Sequence, residues 1–468
     1  MSNTAAPPPP PPPHIALLPS AGMGHLTPFL RVAAMLSSRN CTVSLITACP
    51  SVSAAESAHI SFFLSQHPKV NHIEFQVISS PNPTTDDPFF LQFEATTRSV
   101  HLLYPSLAAS SPPVSAIFSD FAVASSIASV AADLGVPNYS IFTTSCRFSC
   151  LMAYLPTLLS NPSCFASDLK EVNVPGITPL PIGSIPPPFK NPYHLFTSII
   201  ATNSRALSKS KGILMNTFED FEPETLAAIN SGMVLENLPP ILPIGPLDTF
   251  EAKKEQDEDG DYLSWLDRQP AESVVYVSFG SRTAMSNEQI KELSDGLERS
   301  GYRFLWVLKT SKVDKEDKED LKSLLGEPFL DRTKSRGVVV KGWGSQQDIL
   351  EHAAIGGFVN HCGWNSVMEA AQKGVPVLAW PQHGDQSVNA EVVEKAGLGI
   401  WERSWGWGVG GVVVGGEEIG RKIVELMEDK KLRGLARKVG EDAKEATATG
   451  GKSQKVFNEV LEYLTQKN

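Results

Sequence analysis

The stretch WGSQQDILEHAAIGGFVNHCGWNSVMEAAQKGVPVLAWPQHGDQ, residues 343–386, decides the fold. Its apolar run Gly357–Val359 is short and bounded by polar residues, as a buried strand is, and Val375–Ala379 repeats the pattern after a segment of helical spacing. Strand, helix and strand in this order make a βαβ unit of a parallel sheet. Between the first strand and the helix lies His361-Cys362-Gly363-Trp364-Asn365-Ser366. The first amides of a helix lack intrahelical acceptors and the dipole is positive there, so this turn can hold a diphosphate without a metal. It also lies at the strand ends, where parallel sheets bind nucleotides.

The same alternation continues on both sides. Strands are predicted upstream at Ile15–Pro19, Val43–Ala48, Ile73–Ile78, Ser115–Ser119, Ser140–Thr143 and Ile213–Asn216, with helices such as Thr27–Leu36 and Ala122–Leu134 between them. A second series runs through Val274–Phe279, Phe304–Leu308, Val338–Val340, Gly357–Val359 and Val375–Ala379. Its first helix opens on a capping box, Ser286 with Gln289, and puts Ile290, Leu293 and Leu297 on one face. The segment from Leu247 to Asp261 is charged and nearly free of apolar residues, which makes it a linker. The fold class is therefore α/β, with two tandem Rossmann-like domains built on parallel sheets. Residues 1–13 form a proline-rich tail, 14–246 the first domain, 247–261 the linker and 262–449 the second domain. After the Gly450-Gly451 break, residues 450–468 form a helix whose apolar face, Val456, Val460 and Leu464, packs back on the first domain.

At 468 residues the chain exceeds one ordinary core of roughly 100–200 residues. A formal charge of −11 argues against a nucleic-acid surface, which needs a basic face. The six cysteines show neither metal spacing nor disulfide density. Without a signal peptide or an apolar run of about 18 residues, the sequence reads as a cytosolic monomer with no membrane partner. The run Pro7–Pro13 reads as a solvated tail rather than a ligand for an SH3-type groove. Asp257-Glu258-Asp259 lies in the linker, so no metal is assigned to it. Gly22-x-Gly24 is followed by Thr27 where a dinucleotide fold needs glycine, and Ala446 spoils a phosphate loop before Gly451-Lys452-Ser453.

Two residues suggest proton chemistry. His25 follows the first strand, in Pro19-Ser-Ala-Gly-Met-Gly-His25, just ahead of a helix. Asp120 ends the fourth strand, and a parallel sheet brings both to one edge. As a dyad, Asp120 accepts the imidazole N–H and fixes the tautomer while the other nitrogen takes a proton. The alternatives are a structural histidine and an N-cap role for Asp120.

Residues 343–386 resemble, from Trp343 to Gln386, the signature box of plant family 1 UDP-glycosyltransferases. Pro19–His25, Asp87–Leu91 with Phe93-Glu94-Ala95, Gly280-Ser281-Arg282 and the Trp401–Trp407 region are most similar to flavonoid C-glucosyltransferases acting on 2-hydroxyflavanones and dihydrochalcones such as phloretin. The resemblance implies a GT-B fold with an interdomain cleft, UDP-glucose as co-substrate and no further cofactor. It implies donor-binding roles for Gly24, Thr143, Ser281, Arg282, Trp343, Gln346, His361, Gly363, Trp364, Asn365, Ser366, Glu369, Asp385 and Gln386. Within that set Trp343 stacks on uracil and Glu369 takes the ribose hydroxyls, whereas Ser281, His361, Asn365 and Ser366 face the phosphates. Asp385 and Gln386 hold the sugar, which Thr143 reaches from the first domain. Trp343 could instead be core, Glu369 could close a capping box with Ser366, and Arg282 could make a surface ion pair.

His25 is then the base and Asp120 its partner. Acceptor-wall candidates are Phe89, Phe93, Phe121, Phe142, Phe148, His194 and Trp380, each of which could equally be core. A phenolate carries charge on its ortho carbons as well as on oxygen, so positioning decides whether a C- or an O-glucoside forms. An O-glucosyltransferase of the same fold and a non-catalytic UDP-sugar sensor are the competing readings.

Overall fold

β-Branched and aromatic runs assemble two all-parallel sheets in the computed structural model, which describes residues 11–79, 87–165, 169–248, 262–280, 285–309, 320–405 and 412–467. The first sheet contains β1 (His14–Leu18), β2 (Thr42–Cys49), β3 (Asn71–Gln76), β4 (Ala116–Asp120), β5 (Asn138–Phe142), β6 (Gly212–Met215) and β7 (Ile241–Pro243). The second contains β8 (Val274–Ser278), β9 (Arg303–Leu308), β10 (Gly337–Lys341), β11 (Ile355–Asn360), β12 (Val377–Ala379) and β13 (Gly399–Trp401).

The spatial order is β3-β2-β1-β4-β5-β6-β7 in one sheet and β10-β9-β8-β11-β12-β13 in the other. Each order reverses direction once, between β1 and β4 and between β8 and β11. Such switch points open a crevice at the strand ends. Side chains alternate as the pleat requires: Ile15 and Leu17 join one core while Ala16 and Leu18 join the one on the opposite face. Val274 and Tyr276 likewise part from Val275 and Val277. With helices on both faces, the strands are buried throughout.

Several boundaries differ from the sequence expectation. β4 starts at Ala116 rather than Ser115 and ends at Asp120 as read, and β12 starts at Val377 because Pro376 cannot donate to the ladder. β7 and β13 were not expected, since three residues carry too little pattern. Ser286 caps its helix through the amide of Gln289. The Gln289 side chain does not complete a reciprocal box, because it pairs with the backbone of Val414 instead.

Among the helices, α1 (Met23–Ser38), α2 (Pro88–Ser99), α3 (Cys146–Leu159), α4 (Trp364–Lys373), α5 (Gln386–Lys395) and α6 (Lys452–Lys467) position the site or join the halves. Phe457, Val460 and Leu464 of α6 are buried in the core of the first sheet. The preceding helix, Lys430–Thr447, buries Val439, Ala443 and Ala446 against the second. The polyproline run up to Pro10, most of the proposed linker, Ser281, Arg282 and residues 406–411 lie outside the described residues.

Candidate active site

At the first switch point, β1 ends and Gly22 turns the chain with φ +98, a conformation that glycine adopts without strain. The turn is complete at Gly22, so α1 begins at Met23. His25 consequently lies inside the first helical turn rather than ahead of the helix. Its Nδ1 is 2.8 Å from Oδ2 of Asp120 and 3.3 Å from the Thr143 hydroxyl. The other carboxylate oxygen of Asp120 accepts the Ala122 amide at 2.8 Å. The two readings of Asp120 are thus compatible: one oxygen caps the turn, the other orients the imidazole. Asp120 is buried, whereas the His25 side chain keeps 29% exposure. Nδ1–H donation to the carboxylate fixes the tautomer that leaves Nε2 as the basic nitrogen.

The second switch point is built differently. Asn360 ends β11, and its Oδ1 accepts the Cys362 amide at 2.6 Å. This draws Cys362 into a left-handed conformation, φ +62. Gly363 then stands at the N-cap of α4 with no side-chain cap, so the first amides of the helix are left for a ligand. The His361 ring packs so closely on Gly280 and Gly363 that a Cβ at either would come within 2.7 Å of it. Burial, with a smaller contribution from His383, pushes the His361 imidazole down to about 3. It is therefore neutral, and its Nδ1 has no hydrogen-bond partner among the described residues.

The two crevices meet. Pro28 has no N–H, which leaves the Gly24 carbonyl without its intrahelical donor, and Asn365 Nδ2 donates to that carbonyl at 3.2 Å. The Thr144 hydroxyl donates to Asp385 Oδ2, which also accepts from Asn389 Nδ2 at 2.8 Å. Asn389 in turn donates to the Cys362 carbonyl, so the sugar and phosphate candidates share one fully buried amide. Thr144, Asn389 and Arg31 were missed by sequence reasoning. For Arg31 a signal existed, a charge inside the apolar run Phe29-Leu30-Arg31-Val32-Ala33.

Trp343 is 40% exposed just beyond β10, an open ring face rather than core. Glu369 closes no capping box with Ser366, because α4 is capped at Gly363. Its carboxylate instead receives Arg31 and Gln346, and Gln346 also donates to Ser366 at 2.9 Å. The Trp364 indole is buried and donates to the Asn216 carbonyl, so its amide is what remains for a phosphate. Gln386 is buried, with Oε1 accepting the amides of Gln382 and His383.

The acceptor candidates divide. Phe89, on α2 behind its Asp87 cap, has its ring 5.8 Å from that of His25. From it an aromatic row continues through Phe90, Phe196 and Phe189 to Phe148. Phe93 and Phe121 are nearly buried, and Phe121 packs on Phe142. Two candidates are corrected: Phe142 is a core residue of β5, and Trp380 is fully buried between Phe279 and Trp405. His194 is exposed, and its Nδ1 caps the helix Leu195–Ala206.

Two doubly wound sheets whose switch points face each other, one with a His–Asp pair and the other with an uncapped helix N-terminus, define a GT-B enzyme that uses a nucleotide-sugar donor. The family model for UDP-glucoronosyl and UDP-glucosyl transferase matches residues 187–402. UDP-glycosyltransferase 708C1 of Fagopyrum esculentum is 50% identical over 96% of this chain and 94% of its own. UDP-glycosyltransferase CGT of Oryza sativa subsp. japonica is 46% identical over 95% of both chains. The crystal structure of LpCGTa in complex with UDP is 44% identical, covers 97% of this chain and 99% of its own, and superposes with a TM-score of 0.85. The chain belongs to the UDP-glycosyltransferase family. Among the described residues, no helix is long and apolar enough to cross a membrane.

Proposed function

We propose that this chain is an inverting, UDP-glucose-dependent C-glucosyltransferase acting on flavonoid-type polyphenols, 2-hydroxyflavanones or dihydrochalcones, in the cytosol. The observation that carries the reading is the His25–Asp120 pair, 2.8 Å apart, one residue from the carbonyl that Asn365 touches. Residues 14–246 act as the acceptor half and 262–449 as the donor half. In the donor half the amides of α4 and the His361 turn receive the diphosphate, Trp343 the uracil, and Glu369 the ribose. Asp385 keeps Oδ1 without a protein partner among the described residues and offers it to the sugar. The names of the rice relative and of LpCGTa support the carbon linkage.

His25 Nε2 takes the phenol proton, and Asp120 stabilises the imidazolium. The ortho carbon of the phenolate attacks C1 of glucose, and the C1–O bond breaks with its electron pair leaving on UDP. The ring then releases its ortho proton and regains aromaticity. A single displacement turns the α-linked donor into a β-product. Phe89 and the aromatic row behind it hold the ring so that carbon rather than oxygen lies in line, a matter of orientation.

The test is product analysis with UDP-glucose and a phloretin-like acceptor. A sugar that survives hot acid is carbon-linked. Release of the aglycone would instead identify an O-glucosyltransferase, and UDP-glucose binding without UDP release by any polyphenol would identify a sensor.

A further inference from the structure

Helix α1 carries more than the base. Arg31, six residues after His25, is buried among Phe29, Leu30 and Val32, and its Nη2 donates to Oε1 of Glu369 on α4. Both partners are nearly inaccessible, with side-chain exposures of 2% and 6%. The second oxygen, Oε2, accepts Gln346 Nε2 at 2.6 Å. Each carboxylate oxygen therefore has one protein donor and retains lone-pair capacity for a further hydroxyl. Arg31 Nε is buried with no hydrogen-bond partner among the described residues, so a buried charge is held against a single carboxylate. Such a pair is a weak source of stability, since desolvation consumes much of its Coulombic gain. A planar guanidinium nevertheless fixes the plane of the carboxylate it meets, which a lysine ammonium does not.

We propose that Arg31 is a positioning residue for donor recognition: it orients Glu369 toward the ribose diol, so that ribonucleotide selection is set from across the cleft, by the helix that bears His25. This rests on the assignment of Glu369 to the ribose. The Asn365–Gly24 contact joins the same two helices at their N-termini. A tilt of α1 that moves His25 therefore also moves the group holding Glu369.

The experiment is calorimetric titration of the intact protein with UDP and with 2′-deoxy-UDP. The unaltered chain should favour UDP by about tenfold, the worth of one charge-assisted hydrogen bond. In Arg31→Met the preference should fall to within about twofold, and Arg31→Lys should lie between. Arg31→Gln stands in if the methionine variant fails to fold, and Arg31→Met combined with Glu369→Gln removes the uncompensated charge and should show no preference. A tenfold preference kept in Arg31→Met, with only a lower Tm, would reduce Arg31 to a structural tether and overturn the proposal. The ribose assignment fails separately, and takes the proposal with it, if the unaltered chain shows no preference or Glu369→Gln keeps it.

Discussion

The switch points between β1 and β4 and between β8 and β11 occupy equivalent places in two sheets whose first six strands share one order, yet they are equipped in opposite ways. The first exposes side chains: an imidazole held by a buried carboxylate, with an aromatic ring 5.8 Å away. The second exposes backbone: an uncapped helix N-terminus, shaped by two glycines that make room for a neutral histidine. In the proposed reaction one repeated scaffold thus separates proton transfer from anion binding, and each side should be open to damage without the other.

The largest expected effect breaks the first side alone. His25→Ala should lower kcat by about a thousandfold, within the range of general-base catalysis, while the Kd for UDP stays within about twofold. Steady-state kinetics beside calorimetry checks this, and a matching loss of UDP affinity would mean that the two sides are not separable. Asp120→Asn keeps a cap for Ala122 but loses the carboxylate that orients the ring, so kcat should fall about a hundredfold, read in the same assay.

A third helix N-terminus sharpens the comparison. Where α4 is left open, α3 receives an internal carboxyl: Glu222 accepts the amides of Cys146 and Arg147, each at 3.0 Å. Burial outweighs these bonds and pushes the carboxyl up to about 7. The folded chain then keeps this proton up to about pH 7, whereas the unfolded chain releases it near 4.5, so stability falls as pH rises through that window. The loss should be about 3 kcal/mol, visible in urea midpoints, and Glu222→Gln should flatten it. The smallest effect is expected from Gly363→Ala, whose methyl meets His361 at 2.5 Å. UDP should bind about tenfold more weakly with kcat nearly unchanged, by calorimetry and initial rates.

What the sequence revealed follows the same division. His25 and Asp120 were legible because both follow predicted strands, and strand ends of a parallel sheet share an edge. The open turn at 361–366 was legible because helix N-termini bind anions whatever their side chains. The cross-cleft pairs were not. Arg31 with Glu369 and Thr144 with Asp385 are separated by 338 and 241 positions, and no local pattern fixes such meetings. Trp380 and Phe142 were misplaced because an aromatic residue at a strand end serves a core as readily as a pocket. Phe89, beside a capped helix start, had the more informative setting.

The chain passes between the two sheets once between residues 248 and 262 and again between 447 and 452, where α6 leaves the second core for the first. The second crossing is short and packed at both ends, Ala446 in one core and Phe457 in the other, so the final helix straps one half of the molecule to the other.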